Sequence, residues 1–477
     1  MTTMTFLQLN DVHGYLHEHP EWFLQDGKET FRQVGGYARL KTMIDRIRAE
    51  EEHVVLFDNG DTFHGTYPVV KTKGESLIPI LNELGFDAMT GHWDFAYGPE
   101  HLQQLVQQLN YPFLANNCFQ KETDELLFPP SLLLPIGDTM IGIIGIASPI
   151  IAKTMPASFS EGVYFTNGDE HLQKDIDDLK ERGAELIVIL SHLGFPQETK
   201  LAESFDDIDI ILSGHTHNRL TEPATVNDTL LIQSGCHGSF LGKLTVTVER
   251  GKIVHYTHEL LEAEAGIPEH AETKALVEEA MAPFEQPLQQ VIGTTELPLH
   301  RNAQLETTMD TVLLEAIAEA ARATIAFSNG WRYGAPIEAG PITLEQLYEI
   351  IPTNPPVSTA TLTGQDIWEM LEENIHATFA SDPLEQKGGY LKRMLGITLY
   401  FKVENAYPFR IQQLFVNGEQ IERDKQYNVA FVTVQGVPEK YGTNRQNLTI
   451  HAIDALREYI ASRGTIRIEL PQQIHLI

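Results

Sequence analysis

Five short apolar runs in this chain each end in side chains able to bind metal ions. TFLQL leads into Asn10-Asp11-Val12-His13, HVVLF into Asp58-Asn59-Gly60-Asp61, and FDAMT into Gly91-His92-Trp93-Asp94. LIVIL leads into Ser191-His192, and IDIIL into Ser213-Gly214-His215-Thr216-His217. Runs of this length and β-branched content read as strands. Ligand-type residues placed repeatedly just after strands predict one shared site at the carboxyl edge of a sheet. Asp11 and His13, like His215 and His217, are two positions apart, so in an extended loop their side chains point the same way. Asp11, His13, Asp61, His92, His192, His215 and His217 supply enough oxygen and nitrogen donors for two divalent ions, with the Asp61 carboxylate able to bridge them. Any one of these motifs is commonplace on a surface loop. All five, in order and at strand ends, predict a two-metal hydrolase, and at least four imidazoles favour Mn or Zn over Mg.

The 477 residues are enough for two domains, each with its own core. Lys plus Arg number 34 against 66 Asp plus Glu, a formal charge of −32. Nucleic-acid backbones and anionic membranes are repelled by that balance, so neither is an expected partner. A phosphate substrate then needs local positive charge from metals and a few basic side chains. Cys118 and Cys236 form no CxxC pair and read as small buried residues. With no basic, apolar leader at Met1–Asn10 and no run long enough to span a membrane, the expected setting is cytoplasmic.

Residues 4–260 alternate short strands with amphipathic segments, the rhythm of a layered α/β fold. Leu40, Met43, Ile44 and Ile47 predict a helix over Gly36–Glu51, and Asp169–Arg182 repeats the pattern. After His217, LLIQSG, FLGKLTVTV and KIVHYTHEL read as antiparallel strands. Thr273–Gln290 is acidic and helical, broken by Pro283 and Pro287, and a strong helix is expected at Thr308–Ala323. The expected division is a metal domain at 1–265, a helical linker at 266–290 and a second α/β domain at 291–477.

NDVHG, DNGDTFHG, ILSHLG and ILSGHTH together resemble the calcineurin-like metallophosphoesterases, specifically the 5′-nucleotidase family with its UDP-sugar hydrolase and cyclic-phosphodiesterase relatives. GHWDFAYG and QSGCHGSFLGKL extend the resemblance in the first half; LETTMDTVLLEAI, FSNGWRYGAPIEAGPITLEQLYEIIP and, more loosely, GGYLKRMLGITLYF carry it through the second. The resemblance implies a four-layer αββα metallophosphoesterase domain followed by a 5′-nucleotidase-type substrate domain. It implies one ion on Asp11, His13 and His217, a second on His92, His192 and His215, and Asp61 bridging. Such a pair would activate a bound hydroxide and neutralise phosphoryl oxygens during in-line attack. The implied partner is a small, nucleotide-like phosphate ester.

The chain departs from that family in two places. Where the family has GNH, an acidic residue, Phe, Asp, Tyr and Gly, the gap-free match reads Gly91-His92-Trp93-Asp94-Phe95-Ala96-Tyr97-Gly98. Asn becomes His92, which can ligate equally well; the catalytic His becomes Trp93, and the Asp that orients it becomes Ala96. A slipped alignment would instead make His92 the catalytic histidine. His64, three residues after Asp61, is the candidate substitute acid–base group. In the second half the family clamps a base between two aromatics, but Ile351-Pro352-Thr353-Asn354-Pro355-Pro356 lacks the first, and Tyr441 is a loose match for the second. Asn329 and Arg332 remain as candidate substrate contacts, Arg332 as an anion-binding fork facing the metals across a cleft, or else stacked on Trp331. The expected activity is a 5′-nucleotidase-like phosphomonoesterase. The alternatives are a phosphodiesterase, a nucleotide-sugar pyrophosphatase, or a weakly active ligand-binding relative.

Overall fold

The computed structural model describes all 477 residues, which fall into two compact units. The first comprises Met1–His19 and Gln33–Pro283; the second comprises Pro20–Arg32 and Phe284–Ile477.

Two sheets build the first unit. One has five strands in the order Lys252–Glu262, Phe240–Glu249, Thr2–Leu9, Val54–Asp58 and Ala88–Met89. The other has six, in the order Ala224–Val226, Thr229–Ile232, Ile210–Leu212, Leu186–Ser191, Thr139–Ile146 and Ser131–Ile136. Strand alternation sorts their side chains into layers. Met4, Phe6, Val55 and Phe57 share one core with Ile143, Val188, Leu190 and Leu212, between the sheets. Ile187, Ile189 and Ile211 point the other way, onto Leu172, Ile176, Leu179 and Leu201 of helices Leu172–Glu181 and Phe195–Ser204. Helix Tyr37–Glu50 makes the crossover between parallel strands Thr2–Leu9 and Val54–Asp58, burying Leu40, Met43, Ile44 and Ile47. The result is the four-layer αββα arrangement.

What places the chemistry is register. Leu9 lies opposite Asp58, and Asp58 opposite Met89, so three parallel strands of the first sheet end level. Leu190 lies opposite Leu212 in the second sheet. All five ligand-bearing loops therefore leave the same edge, outside the carboxyl ends of parallel strands.

One expected pairing differs. Thr229–Ile232 runs parallel to Ile210–Leu212, and its antiparallel partner is Ala224–Val226. Asn227, at φ 52°, makes the tight reversal between the latter two. That hairpin turns the chain before LLIQSG begins, so the strand joins the second sheet in the parallel sense. The later pair, Phe240–Glu249 and Lys252–Glu262, is antiparallel.

The second unit contains a five-stranded sheet in the order Tyr390–Leu395, Ala326–Gly330, Gln426–Phe431, Pro356–Thr363 and Thr443–His451. Helices Thr308–Ala321 and Gly364–Phe379 accompany it, the latter closed at its start by a Thr363/Asp366 capping box. Residues 20–32 belong to the hairpin His19–Gln25/Lys28–Val34 and group with this unit, Trp22 stacking on His300 at 6.4 Å. Helix Ala271–Met281, in the segment read as a linker, packs on Tyr37–Glu50 and Ile78–Leu84 of the first unit. No helix is long and apolar enough to cross a membrane.

Candidate metal centre

The five loops bring seven side chains together in two groups that share one carboxylate. Asp11, His13, Asp61 and His217 form one group; Asp61, His92, His192 and His215 form the other. All seven side chains are buried except His217, which is partly exposed. His217 Nε2 lies 3.2 Å from Asp11 Oδ1 and 3.4 Å from His13 Nε2. Asp61 Oδ2 lies 3.5 Å from His13 Nε2 and 3.4 Å from His192 Nε2, while Asp61 Oδ1 is 3.2 Å from His92 Nδ1. These separations are long for charge-assisted hydrogen bonds. They match donors sharing an ion: bonds of about 2.1 Å in a tetrahedron set ligand atoms about 3.4 Å apart.

Neighbouring backbone fixes which nitrogen each imidazole presents. His192 Nδ1–H donates to the Asn59 carbonyl at 2.6 Å, and His13 Nδ1–H to the His64 carbonyl at 3.2 Å. Both rings therefore turn Nε2 toward the carboxylates. The Nε2 atoms of His92 and His192 are buried with no hydrogen-bond partner; on His192, where Nε2 faces the carboxylates, an ion would relieve that cost. Five imidazoles, two carboxylates and these orphaned nitrogens fit a pair of divalent cations.

Strain marks the same residues. Asp11, His13, Asp61, His215 and His217 all adopt left-handed backbone, with φ between 51° and 72°. Each such residue costs about 1–2 kcal/mol when it is not glycine. Side chains that propensity would remove from those positions are kept there, which is the signature of a functional constraint.

Charge in the cluster is shared unevenly. Burial pushes the Asp61 carboxyl up, but His192, His92 and His13 outweigh it and hold it well below the carboxylate range. Asp11 is lowered too, His217 and His192 overcoming its burial. Burial disfavours charge on His192, yet Asp61 and Asp11 carry it up to about 10; His13, where burial dominates, falls to about 3. An ion held by His192 would take the place of its proton, so uptake would release protons.

The third-strand loop shows what the departed motif does. Trp93 donates its backbone N–H to Asp61 Oδ1 at 2.7 Å, orienting the bridging carboxylate regardless of its own side chain. The Trp93 indole stacks on His64, ring centres 4.5 Å apart and planes 22° apart. His64 is buried, and burial takes its pKa down to about 4. At neutral pH it is a neutral imidazole against an aromatic wall.

Carboxamides that the sequence reading passed over hold the loops. Asn59 donates to the carbonyls of Ser191 and Leu212, at 3.0 and 2.5 Å, tying the first sheet's loop to two strand ends of the second. Gln8 donates to Asn59 Oδ1 and the Ser213 carbonyl, and Asn10 to Asp11 Oδ2. The available signal was Gln8 itself, a polar residue inside the apolar run TFLQL. Glu198 is buried behind the second sheet's loops, its Oε1 accepting from Gly194 N–H.

The candidate substrate contacts lie in the second unit. Asn329 is on strand Ala326–Gly330, half-buried. Arg332 sits over the Tyr390 ring at 5.4 Å and donates to the Gly389 carbonyl, whereas the guanidinium over Trp331 belongs to Arg301. The alternative stack of Arg332 on Trp331 is therefore replaced by one on Tyr390, 58 positions after Arg332, which sequence proximity could not reveal. Trp331 and Tyr333 are buried. Tyr441 is packed in the unit's hydrophobic core under the Lys440 ammonium, away from the role of an exposed stacking face.

Comparison with known proteins agrees with this geometry. The calcineurin-like phosphoesterase family model matches residues 4–219, and the 5′-nucleotidase C-terminal domain model matches 289–434. The chain is 28% identical to a 5′-nucleotidase of Bos taurus over 89% of its own length and 81% of the relative's. It is 26% identical to the trifunctional nucleotide phosphoesterase YfkN of Bacillus subtilis, over 90% of this chain but only 31% of that longer protein. Among solved structures, a Thermus thermophilus sulfate thiohydrolase, SoxB, superposes with a TM-score of 0.92 at 24% identity, covering 99% and 96% of the two chains. A Thermus thermophilus 5′-nucleotidase precursor gives 0.86 at 23%, covering 100% and 99%. With its αββα metal domain and its second α/β unit, the chain belongs to the 5′-nucleotidase family of calcineurin-like metallophosphoesterases, metal-dependent hydrolases of phosphoesters.

Proposed function

We propose that this protein is a 5′-nucleotidase-like phosphomonoesterase working with two divalent ions, Mn or Zn. The observation that carries the reading is the pair of four-residue groups sharing Asp61. Bound there, the two ions supply the positive charge and water activation that phosphoryl transfer to water requires. The chain's own residues do the rest. His13 and His192 are held by backbone carbonyls with Nε2 facing the site, and Trp93 N–H fixes the bridging carboxylate. His64, neutral and stacked on Trp93, can donate one hydrogen bond but brings no imidazolium to the leaving oxygen. We assign recognition of the rest of the substrate, a nucleotide-like ester, to Asn329 and Arg332.

A second reading is favoured by Trp93 and Ala96, which remove the acid that would protonate a poor leaving group. An ester whose leaving group departs as a stable anion needs no such acid; thiolates, with thiol pKa near 8.5, qualify, as do nucleoside phosphates. The sulfate thiohydrolase of Thermus thermophilus, which shares this fold, is in keeping with a sulfur-linked substrate of this kind. A screen of Mn- and Zn-loaded protein separates the two. Release of phosphate from nucleoside monophosphates, lost in Asp61→Asn, supports the first reading. Turnover of sulfur-linked or diphosphate-linked esters with none on monophosphates replaces it with the second.

A further inference from the structure

We propose that Asp94 is a positioning residue that couples the two metal subsites, by locking the backbone of the bridging Asp61 to the backbone of His92. The proposal rests on the two-ion reading above. Asp94 is 1% exposed, and its carboxylate accepts four backbone N–H groups from two different loops. Oδ2 takes Asp61 N–H at 2.9 Å and His92 N–H at 3.0 Å; Oδ1 takes Thr62 N–H and Phe63 N–H, both at 3.0 Å. A single oxygen thus holds the shared ligand of both ions and an imidazole belonging to one of them.

The backbone is shaped for this clamp. A Cβ on Gly60 would lie 2.5 Å from Gly91 Cα and 2.6 Å from the Thr90 carbonyl, and a Cβ on Gly91 would lie 2.5 Å from Asp94 Oδ2. Only two glycines let the loops close on each other with a carboxylate between them. Asp58, equally buried, is the useful contrast. It accepts from Gly60 N–H and Thr62 Oγ, within a single loop, and touches no ligand residue's backbone. Replacing the Asp94 carboxylate by an amide keeps one acceptor oxygen and turns an NH2 toward two N–H donors, so one half of the clamp must open.

Chelator-stripped protein titrated calorimetrically with Mn²⁺ tests this. In Asp94→Asn the Kd of one ion should rise about ten- to a hundredfold, the size expected for losing a partner that orients ligands. That of the other should rise by less, because His92 serves one subsite and Asp61 both. Asp58→Asn, a comparable insult to the fold, should leave the ratio of the two Kd values as in wild type. Electron paramagnetic resonance at equal Mn²⁺ should show the coupled pair of the wild type giving way to isolated ions in Asp94→Asn. Should that variant not fold, Asp94→Glu moves both oxygens outward by one bond and is read the same way. An unchanged Kd ratio in the folded variant, or an equal change in Asp58→Asn, overturns the proposal. Wild-type protein that binds fewer than two ions overturns the two-ion reading and the proposal with it.

Discussion

The first unit's cluster around Asp61 and the second unit's cluster around Asp310 are both built from buried charge, yet only one is left open. Asp310 is gripped by two arginines, Arg301 Nε on Oδ1 and Arg393 Nε on Oδ2, each at 2.9 Å. Arg301 spends its remaining nitrogens on the carbonyls of Tyr333 and Ile350, and Arg393 on those of Gln304 and Ala303, all at 2.8 Å. Thr307 Oγ closes on Asp310 Oδ2 at 2.7 Å. That network is complete in itself. Around Asp61, by contrast, imidazole nitrogens are buried without partners, ligand atoms stand at co-ligand rather than hydrogen-bond spacing, and five residues are strained. Satisfied charge marks architecture, and unsatisfied charge with strained backbone marks chemistry.

The largest effect should come from the shared ligand. Asp61→Asn removes the one carboxylate common to both groups, so metal-dependent phosphate release should fall to the level of stripped protein while circular dichroism shows a native fold. Retained turnover would put the reacting centre elsewhere.

Opening the closed network should do the reverse. Asp310→Asn leaves two buried guanidiniums uncompensated, and the second unit should lose about 3–5 kcal/mol in denaturant unfolding. Metal stoichiometry in the first unit should not change. A loss of ions with little loss of stability would show that the Asp310 network serves the metal site and not the architecture of the second unit.

A finer probe is Lys392, buried in the second unit with Nζ donating to the carbonyls of Gln435 and Gly436. Burial lowers its pKa to about 7 from an ordinary 10.5. Between those values the unfolded chain holds the proton and the folded chain does not. Stability from this group therefore rises with pH from about 7 to about 10.5, and is lost as pH falls through 7. Lys392→Met deletes the two hydrogen bonds at every pH, but should also flatten that rise. An unchanged pH slope would show that the ammonium is solvated in the folded protein.

The smallest effect concerns recognition. Arg332→Ala should raise KM about tenfold for the true substrate, with KM for p-nitrophenyl phosphate nearly unchanged, because the fork acts on the part that the small ester lacks. Equal effects on both substrates would remove Arg332 from recognition.

Much of this was legible in the sequence where the determinants are local. An apolar run followed by a ligand is a property of consecutive residues, so the seven ligand-type side chains could be read directly. Helix Tyr37–Glu50 was announced by its apolar spacing, and Thr308–Ala321 likewise. Long-range pairings were not legible. The parallel entry of Thr229–Ile232 depends on a hairpin just upstream, and residues 20–32 join a unit whose remainder begins at Phe284. Arg301 and Arg393 meet at Asp310 across 83 residues of sequence from the latter. Asp94 and Asn59 act on backbone, which no residue pattern displays. Tyr441 had an aromatic's identity and Gly442 beside it, but its burial in the core could not be read from either.

The orphaned nitrogens and strained loops around Asp61 imply a cluster held open for two ions. Calorimetric titration of the stripped protein with Mn²⁺ and with Zn²⁺, checked by elemental analysis, tests it directly. Two ions per chain should bind, with affinity that strengthens as pH rises because His192 must give up its proton. A stoichiometry of zero or one, or two ions retained in Asp61→Asn combined with His192→Ala, would contradict it.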